Sequence, residues 1–239
     1  SEGMRGYELK DTVASLSMGI GYLTLNAGWK FALVPFYYWI YEMRFFEIEA
    51  TALSWVGVVV LQDFFAYWSH RAGHECRILW AAHVNHHSSE HYNLSTALRQ
   101  SWSQYLASCL FFIPILLVGF HPAMLFTAGL FHLLYQYWIH TETIGKLGWF
   151  EHLFMTPSHH RVHHATNEHY LDRNHGGLLI IWDKLFGTFE AEEDKPIYGL
   201  TKNIESFNLV KIAFHEYSDI WRDVKSAKSV KDVLGYIFL

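Results

Sequence analysis

The stretch Thr156-Pro157-Ser158-His159-His160-Arg161-Val162-His163-His164 places four of the chain's 17 histidines in six consecutive positions. In a helix, His160, His163 and His164 stand at i, i+3 and i+4 and share one face. Three imidazoles on one face make a metal-binding surface. The same H-x-x-H-H spacing occurs at His83, His86 and His87, and His70 and His74 form an i, i+4 pair just before it. Any fold of this chain must account for these three groups. Eight imidazoles exceed the four ligands of a single zinc site and the three of catalytic zinc, so the pattern predicts two ions. The protease pattern H-E-x-x-H is absent, because His74-Glu75 runs on to Cys76, Arg77 and Ile78. His121, His132, His152, His169, His175 and His215 stand alone and read as structural.

The rest of the 239 residues says where such a site would lie. Apolar residues make up 51% and charged residues only 17%, yet mean hydropathy is +0.06, so the apolar mass must be segregated. Residues 1–11 are polar. Four apolar stretches follow at roughly 20–41, 51–69, 103–120 and 122–139, and helices of about 20 apolar residues span bilayers. They predict an all-α integral membrane protein, a single domain over 1–239. Its four transmembrane helices form two hairpins, the second turning at Gly119-Phe120-His121-Pro122. The polar segments 70–101 and 140–225 would form a helical cap. The connections 42–50 and 119–122 carry one basic residue, Arg44, whereas 70–101 and 141–202 carry nine. The positive-inside rule then puts every grouped histidine on the cytoplasmic face, of a bacterial inner membrane or the endoplasmic reticulum.

Asp63 interrupts the second stretch and reads either as a structural hydrogen-bond acceptor or as a support for the histidines. Phe207, Val210, Phe214, Tyr217, Trp221 and Val224 recur at steps of three and four. This seam would pack on the cap or lie in the headgroup layer beside a substrate entrance. Gly176-Gly177 reads as a turn into a short buried element, Leu178–Trp182, ended by Asp183-Lys184 and Gly187. Cys76 and Cys109 form no C-x-x-C and read as packed thiols. No basic stretch with an apolar core and cleavage site opens the chain, so no signal peptide is read. A net charge of −5 without a Lys/Arg run predicts no nucleic-acid partner.

Imidazole suits iron, zinc, copper and nickel, so ligand type leaves the metal open. A site beneath a bilayer faces lipids, whose unactivated C–H bonds need an oxidant. Two irons can activate O2; zinc has no redox chemistry. The residues therefore favour a di-iron oxygenase over a zinc hydrolase. A metal-binding membrane sensor or transporter is the non-enzyme alternative.

The pattern H-x(3)-H, H-x-x-H-H, H-x-x-H-H resembles the fatty acid hydroxylase/sterol desaturase superfamily. The runs Leu134–Glu142, Thr156–His164, Gly176–Glu192, Asn93–Ser101 and Tyr198–Thr201 are most similar to its alkylglycerol monooxygenase branch. The resemblance covers roughly residues 8–220. It implies that His70, His74, His83, His86, His87, His160, His163 and His164 bind two irons, with His140 added from the end of the fourth span. Zinc can replace iron in a recombinant preparation. Some relatives have H-x-x-x-H where this chain has Gln136 and His140, so Gln136 becomes an indirect ligand through water or marks an open coordination site. Glu75 matches a glutamate of that branch, which orients a histidine, balances charge or meets a pterin. His159 would stabilise rather than ligate. The implied reaction is O2-dependent hydroxylation of the ether-linked carbon of a membrane alkylglycerol, giving a fatty aldehyde and a glycerol derivative. Tetrahydrobiopterin or another external donor would supply electrons. Hydroxylation or desaturation of a sterol or fatty acyl lipid is the alternative.

Overall fold

The computed structural model describes residues 6–239. Over them regular structure is helical, joined by two isolated bridges, Phe154 to Leu179 and Ala165 to Tyr198. Helix α1 (Leu9–Tyr41) begins where the Glu8 carboxylate accepts the Asp11 amide at 2.7 Å, satisfying one of the unpaired N–H groups of the first turn. Helix α2 (Ala52–Glu75) begins in a reciprocal cap between Thr51 and Ser54. Two single-turn helices follow, α3 (Arg77–Trp80) and α4 (Val84–His87), and then α5 (Gln104–Ser108) and α6 (Ile113–Val118). Helix α7 (Pro122–Trp138) starts with proline at its first position, where no N–H is needed. The chain closes with α8 (Pro157–His163), α9 (Ile181–Phe186), α10 (Leu209–Ser226) and α11 (Val230–Phe238).

The largest apolar core lies away from the histidines. Tyr37 of α1, Val58 of α2, Leu116 of α6 and Met124 of α7 meet in it, and the Tyr37 hydroxyl donates to the Cys109 carbonyl at 2.7 Å. At the other end α1 is tied to the segment after α4. Arg99 Nη1 meets Asp11 Oδ1 at 2.7 Å, and Ser89 Oγ donates to Asp11 Oδ2 at 2.6 Å, with all three side chains buried. Ala14 and Met18 of α1 pack there on Ile212 and Ala213 of α10.

The four-span membrane architecture is not what the chain forms. No helix among the described residues is long and apolar enough to cross a membrane. α1 has 33 residues but carries Asn26 and Lys30 within its apolar run, and α2 carries Gln62 and Asp63. The third expected span, 103–120, breaks into α5, a 3-10 turn over Cys109–Phe112, and a six-residue α6 that rises about 9 Å. Pro114 in the first turn of α6 lacks the N–H that a continuous helix would use. α7 has 17 residues, short of the roughly 20 a span requires. The turn between α6 and α7 stands where expected. Gly119 has φ 122°, and a Cβ there would collide with the Phe46 carbonyl.

The C-terminal seam also faces the other way from a packed stripe. Val210, Phe214 and Trp221 are exposed, and α10 buries Ile212, Ala213 and Ile220 instead.

Candidate metal centre

Four elements deliver histidines to one place. The last two turns of α2 carry His70 and His74. His83 stands immediately before α4, and His86 and His87 end it. His140 lies just past α7, and α8 supplies His160 and His163 with His164 as its C-cap. Arg161, inside the α8 motif, points away from the imidazoles and holds the helix in place. It makes a two-pronged pair with Glu192 at 2.6 Å for both bonds and donates to the carbonyls of Thr141 and Ile144.

The nine side chains divide into two groups, His70, His74, His83, His87 and His163 in one, His86, His140, His160 and His164 in the other. Within each group one ligand atom per residue lies within 4.8 Å of every other. The division cuts through both motifs. The i and i+4 histidines of the first motif, His83 and His87, join the first group, and its i+3 member, His86, joins the second. In the other motif His160 and His164 belong to the second group and His163 crosses to the first. Each motif thus anchors one group and lends its middle histidine to the other. The groups touch where the His87 and His164 rings stack at 4.3 Å between centroids.

Backbone carbonyls set the tautomers. Nδ1 of His70 donates to the His175 carbonyl at 2.8 Å, Nδ1 of His140 to the Gln136 carbonyl at 2.7 Å, and Nδ1 of His163 to the Arg173 carbonyl at 3.0 Å. With the proton on Nδ1, Nε2 is a bare lone pair. The His140 lone pair faces His86 Nε2 at 3.1 Å and His160 Nε2 at 2.9 Å; that of His70 faces His83 Nε2 at 3.0 Å. Burial pushes His70 and His140 down to about 4 and the other seven well below the usual imidazole value, so all nine are neutral, the form that metals take.

A metal fits these groups. Nε2 of His74 and of His163, the inward nitrogens of rings whose Nδ1 is bonded elsewhere, are buried without a hydrogen-bond partner. Buried polar nitrogens converging on one point need something to bind. Ligands on opposite sides of an ion with bonds of about 2.1 Å stand about 4.2 Å apart, close to the 4.8 Å within which the ligand atoms of each group lie.

Other residues singled out in the sequence fall outside the groups. Glu75 is half-exposed and pairs with Arg71 Nε at 2.7 Å. The Gln136 side chain lines an apolar cavity that ends at His140. His159 is buried against Phe189, and burial pushes it down to about 4. Asp63 is a structural acceptor. It takes the amides of Leu178 and Leu179, Trp182 Nε1 and His132 Nε2 at 2.6–3.1 Å, clamping the loop after Gly177 onto α2.

Sequence reasoning missed the support beneath the first group. Asp183 accepts the amides of His175 and Gly176 at 2.7 and 2.8 Å and the Thr188 hydroxyl at 2.7 Å. That fixes the carbonyl that orients His70. Burial raises Asp183 to about 6. The one signal was its place just after the Leu178–Trp182 stretch.

The fatty acid hydroxylase family model matches residues 55–188, more than half of the chain and all nine histidines. The chain belongs to the fatty acid hydroxylase family. It is 45% identical over 216 residues to human alkylglycerol monooxygenase, covering 89% of this chain and 48% of that protein. It is 41% identical over 234 residues to the alkylglycerol monooxygenase of Danio rerio, covering 97% and 52%. It is 30% identical over 158 residues to the ornithine lipid hydroxylase OlsE of Rhizobium tropici, covering 65% of this chain and 48% of OlsE. The chain therefore spans about half the length of these relatives. No solved structure matches it significantly. Family membership and the buried imidazoles together make this a histidine-rich site for a metal cofactor.

Proposed function

We propose that the nine histidines hold two iron ions, five around one and four around the other, in an O2-dependent lipid monooxygenase acting on the ether-linked carbon of alkylglycerols. The observation that carries this reading is the reciprocal exchange of His86 and His163, which serves two adjacent ions and has no use at one. The likeness to proteins named alkylglycerol monooxygenase supports the substrate class. Bound iron would supply the redox chemistry that O2 needs to attack an unactivated C–H bond. One oxygen atom enters the C–H bond next to the ether oxygen, and the other leaves as water, using two electrons and two protons from a donor. The resulting hemiacetal collapses to a fatty aldehyde and a glycerol.

The chain's own residues hold the rings and separate the reactants. The carbonyls of His175, Gln136 and Arg173 keep His70, His140 and His163 aimed with Nε2 inward. A polar cavity of about 360 Å³ reaches His74, His87, His163 and His164, with Trp80, Asp172, Lys202 and Glu216 in its walls. An external reductant such as tetrahydrobiopterin, planar and rich in hydrogen-bonding groups, suits that side. Glu75 acts as the charge partner of Arg71. Gln136, beside His140, would reach the second ion through water.

The lipid partner places the protein at a membrane surface, metal side toward the cytoplasm. Large apolar side chains stand exposed along α1 and α7, among them Ile20, Phe31, Leu130 and Leu134. Such a patch needs a cover.

Anaerobic iron loading, then O2, a 1-alkylglycerol and reduced pterin, tests the proposal. Release of fatty aldehyde is expected. Turnover of another lipid only with a ferredoxin or cytochrome donor would make the chain a sibling hydroxylase or desaturase. Metal uptake without O2 consumption would make it a sensor or transporter.

A further inference from the structure

Residues 172–175 supply hydrogen-bond acceptors to three of the five rings in the first group. The Asp172 carboxylate accepts from Nδ1 of His74 at 3.3 Å, the Arg173 carbonyl from Nδ1 of His163 at 3.0 Å, and the His175 carbonyl from Nδ1 of His70 at 2.8 Å. Helix α2 bears two of these rings and α8 the third. The segment closes on itself where Nε2 of His175 donates to the Asp172 carbonyl at 3.1 Å. Its backbone is left-handed twice, with φ 54° at Asp172 and 55° at Asn174, a conformation that aspartate and asparagine adopt more readily than other residues with side chains. Asn174, fully buried, directs its hydrogen bonds to the frame around the segment. Its amide donates to the Thr188 carbonyl at 2.9 Å, Nδ2 donates to the carbonyls of His159 at 3.1 Å and Glu190 at 2.7 Å, and Oδ1 accepts the Glu190 amide at 2.9 Å.

We propose that residues 172–175, locked by Asn174, are the outer support of the first metal ion alone, with Asp172 and Asn174 as its positioning residues. The inference rests on the two-ion reading and adds what sets the two ions apart. A ring whose Nδ1–H is held keeps Nε2 aimed at the metal, and a carboxylate on the far nitrogen makes that ring a stronger base. Three anchors on one short segment move together, so loosening it releases His70, His74 and His163 at once. Asp183 fixes the far end of the segment through the amides of His175 and Gly176, so without the Asn174 side chain the near part is what shifts. The second group is held otherwise. His140 is oriented by the Gln136 carbonyl, one turn back along its own element. Asn174 also reaches α8 through the His159 carbonyl, but Arg161 fastens that helix independently through Glu192.

Titration of the metal-free protein with Co(II), whose visible bands report the ligands around it, tests this. The bands lost in His163→Ala and in His86→Ala identify the first and second sites. Asn174→Gly keeps the positive φ and removes the side-chain bonds. It is expected to weaken Co(II) binding at the first site by about tenfold or more, the scale on which lost ligand supports act, and to leave the second site unchanged. Asp172→Ala removes one anchor from a carboxylate that is 60% exposed, so the fold does not depend on it, and should weaken the same site. Asp172→Asn, whose amide oxygen still accepts from His74, should restore most of that affinity. With two ions bound by the wild type, equal weakening of both sites in Asn174→Gly, or of neither, overturns the inference alone, as does wild-type affinity in Asp172→Ala. Saturation of the wild type at one ion would overturn the two-ion reading and this inference with it.

Discussion

His86 and His163 hold the same position in a repeated motif, and each serves the group anchored by the other motif. Replacing either by alanine removes one ligand from one group only. His163→Ala is expected to lower bound metal from two ions per chain toward one while His140, His160 and His164 keep the other group, and His86→Ala should spare the His163 group instead; elemental analysis after anaerobic loading checks both. Unchanged metal in either variant would take that histidine out of the set. Asp63 makes the complementary case away from the metal. Asp63→Ala leaves the Leu178 and Leu179 amides and Trp182 Nε1 without their acceptor. The expected loss is on the order of 3 kcal/mol of stability, at about 1–3 kcal/mol for each buried unsatisfied donor, seen as a lower denaturation midpoint. The histidines themselves were legible in the sequence because spacing at i, i+3 and i+4 is a local property. The split of each motif was not, since it depends on how α4 and α8 meet. The carbonyls of His175, Gln136 and Arg173 have no side-chain signature, so nothing in the sequence marks them.

Among elements, the third apolar stretch shows what hydropathy does not encode. Its composition suits a span, but Pro114 and the residues before it give a broken run of short helices. The turn that follows was legible, because glycine and proline punctuate it. Gly119→Ala would force a side chain into a positive-φ turn against the Phe46 carbonyl. A loss of about 1–3 kcal/mol is expected from the backbone conformation alone, measurable by chemical denaturation. The tie between α1 and the segment after α4 is a buried ion pair, invisible in sequence because Asp11 and Arg99 lie 88 residues apart. Asp11→Ala leaves the Arg99 guanidinium buried without its carboxylate, at an expected cost of about 3–5 kcal/mol. Replacing both residues with apolar side chains should recover much of that loss. The α10 seam was legible as a periodic stripe, but periodicity does not say which face is covered. The smaller Ile212–Ala213 surface lies against α1, and the aromatic one is outward.

For the molecule as a whole, the histidine cluster couples stability to acid. Burial holds His70 and His140 near 4 and His175 near 3, against about 6.5 in the unfolded chain. Below pH 6.5 the unfolded chain binds protons that the folded chain refuses, so stability falls as the pH drops from about 6.5 to 4 and levels off below the folded values. Asp183, raised to about 6, runs the other way between pH 6 and its ordinary range, but it is one group against several. The metal-free protein should therefore melt at a lower temperature at pH 5 than at pH 7. Bound metal, which takes only the neutral rings, should raise the midpoint most near pH 7 and be shed on acidification. The most direct test of the central claim is the number of Fe(II) ions bound per chain at saturation, titrated anaerobically at neutral pH into metal-free protein. Two ions per chain are expected. Saturation at one ion would mean that the nine imidazoles form a single site, and the di-iron reading would not stand.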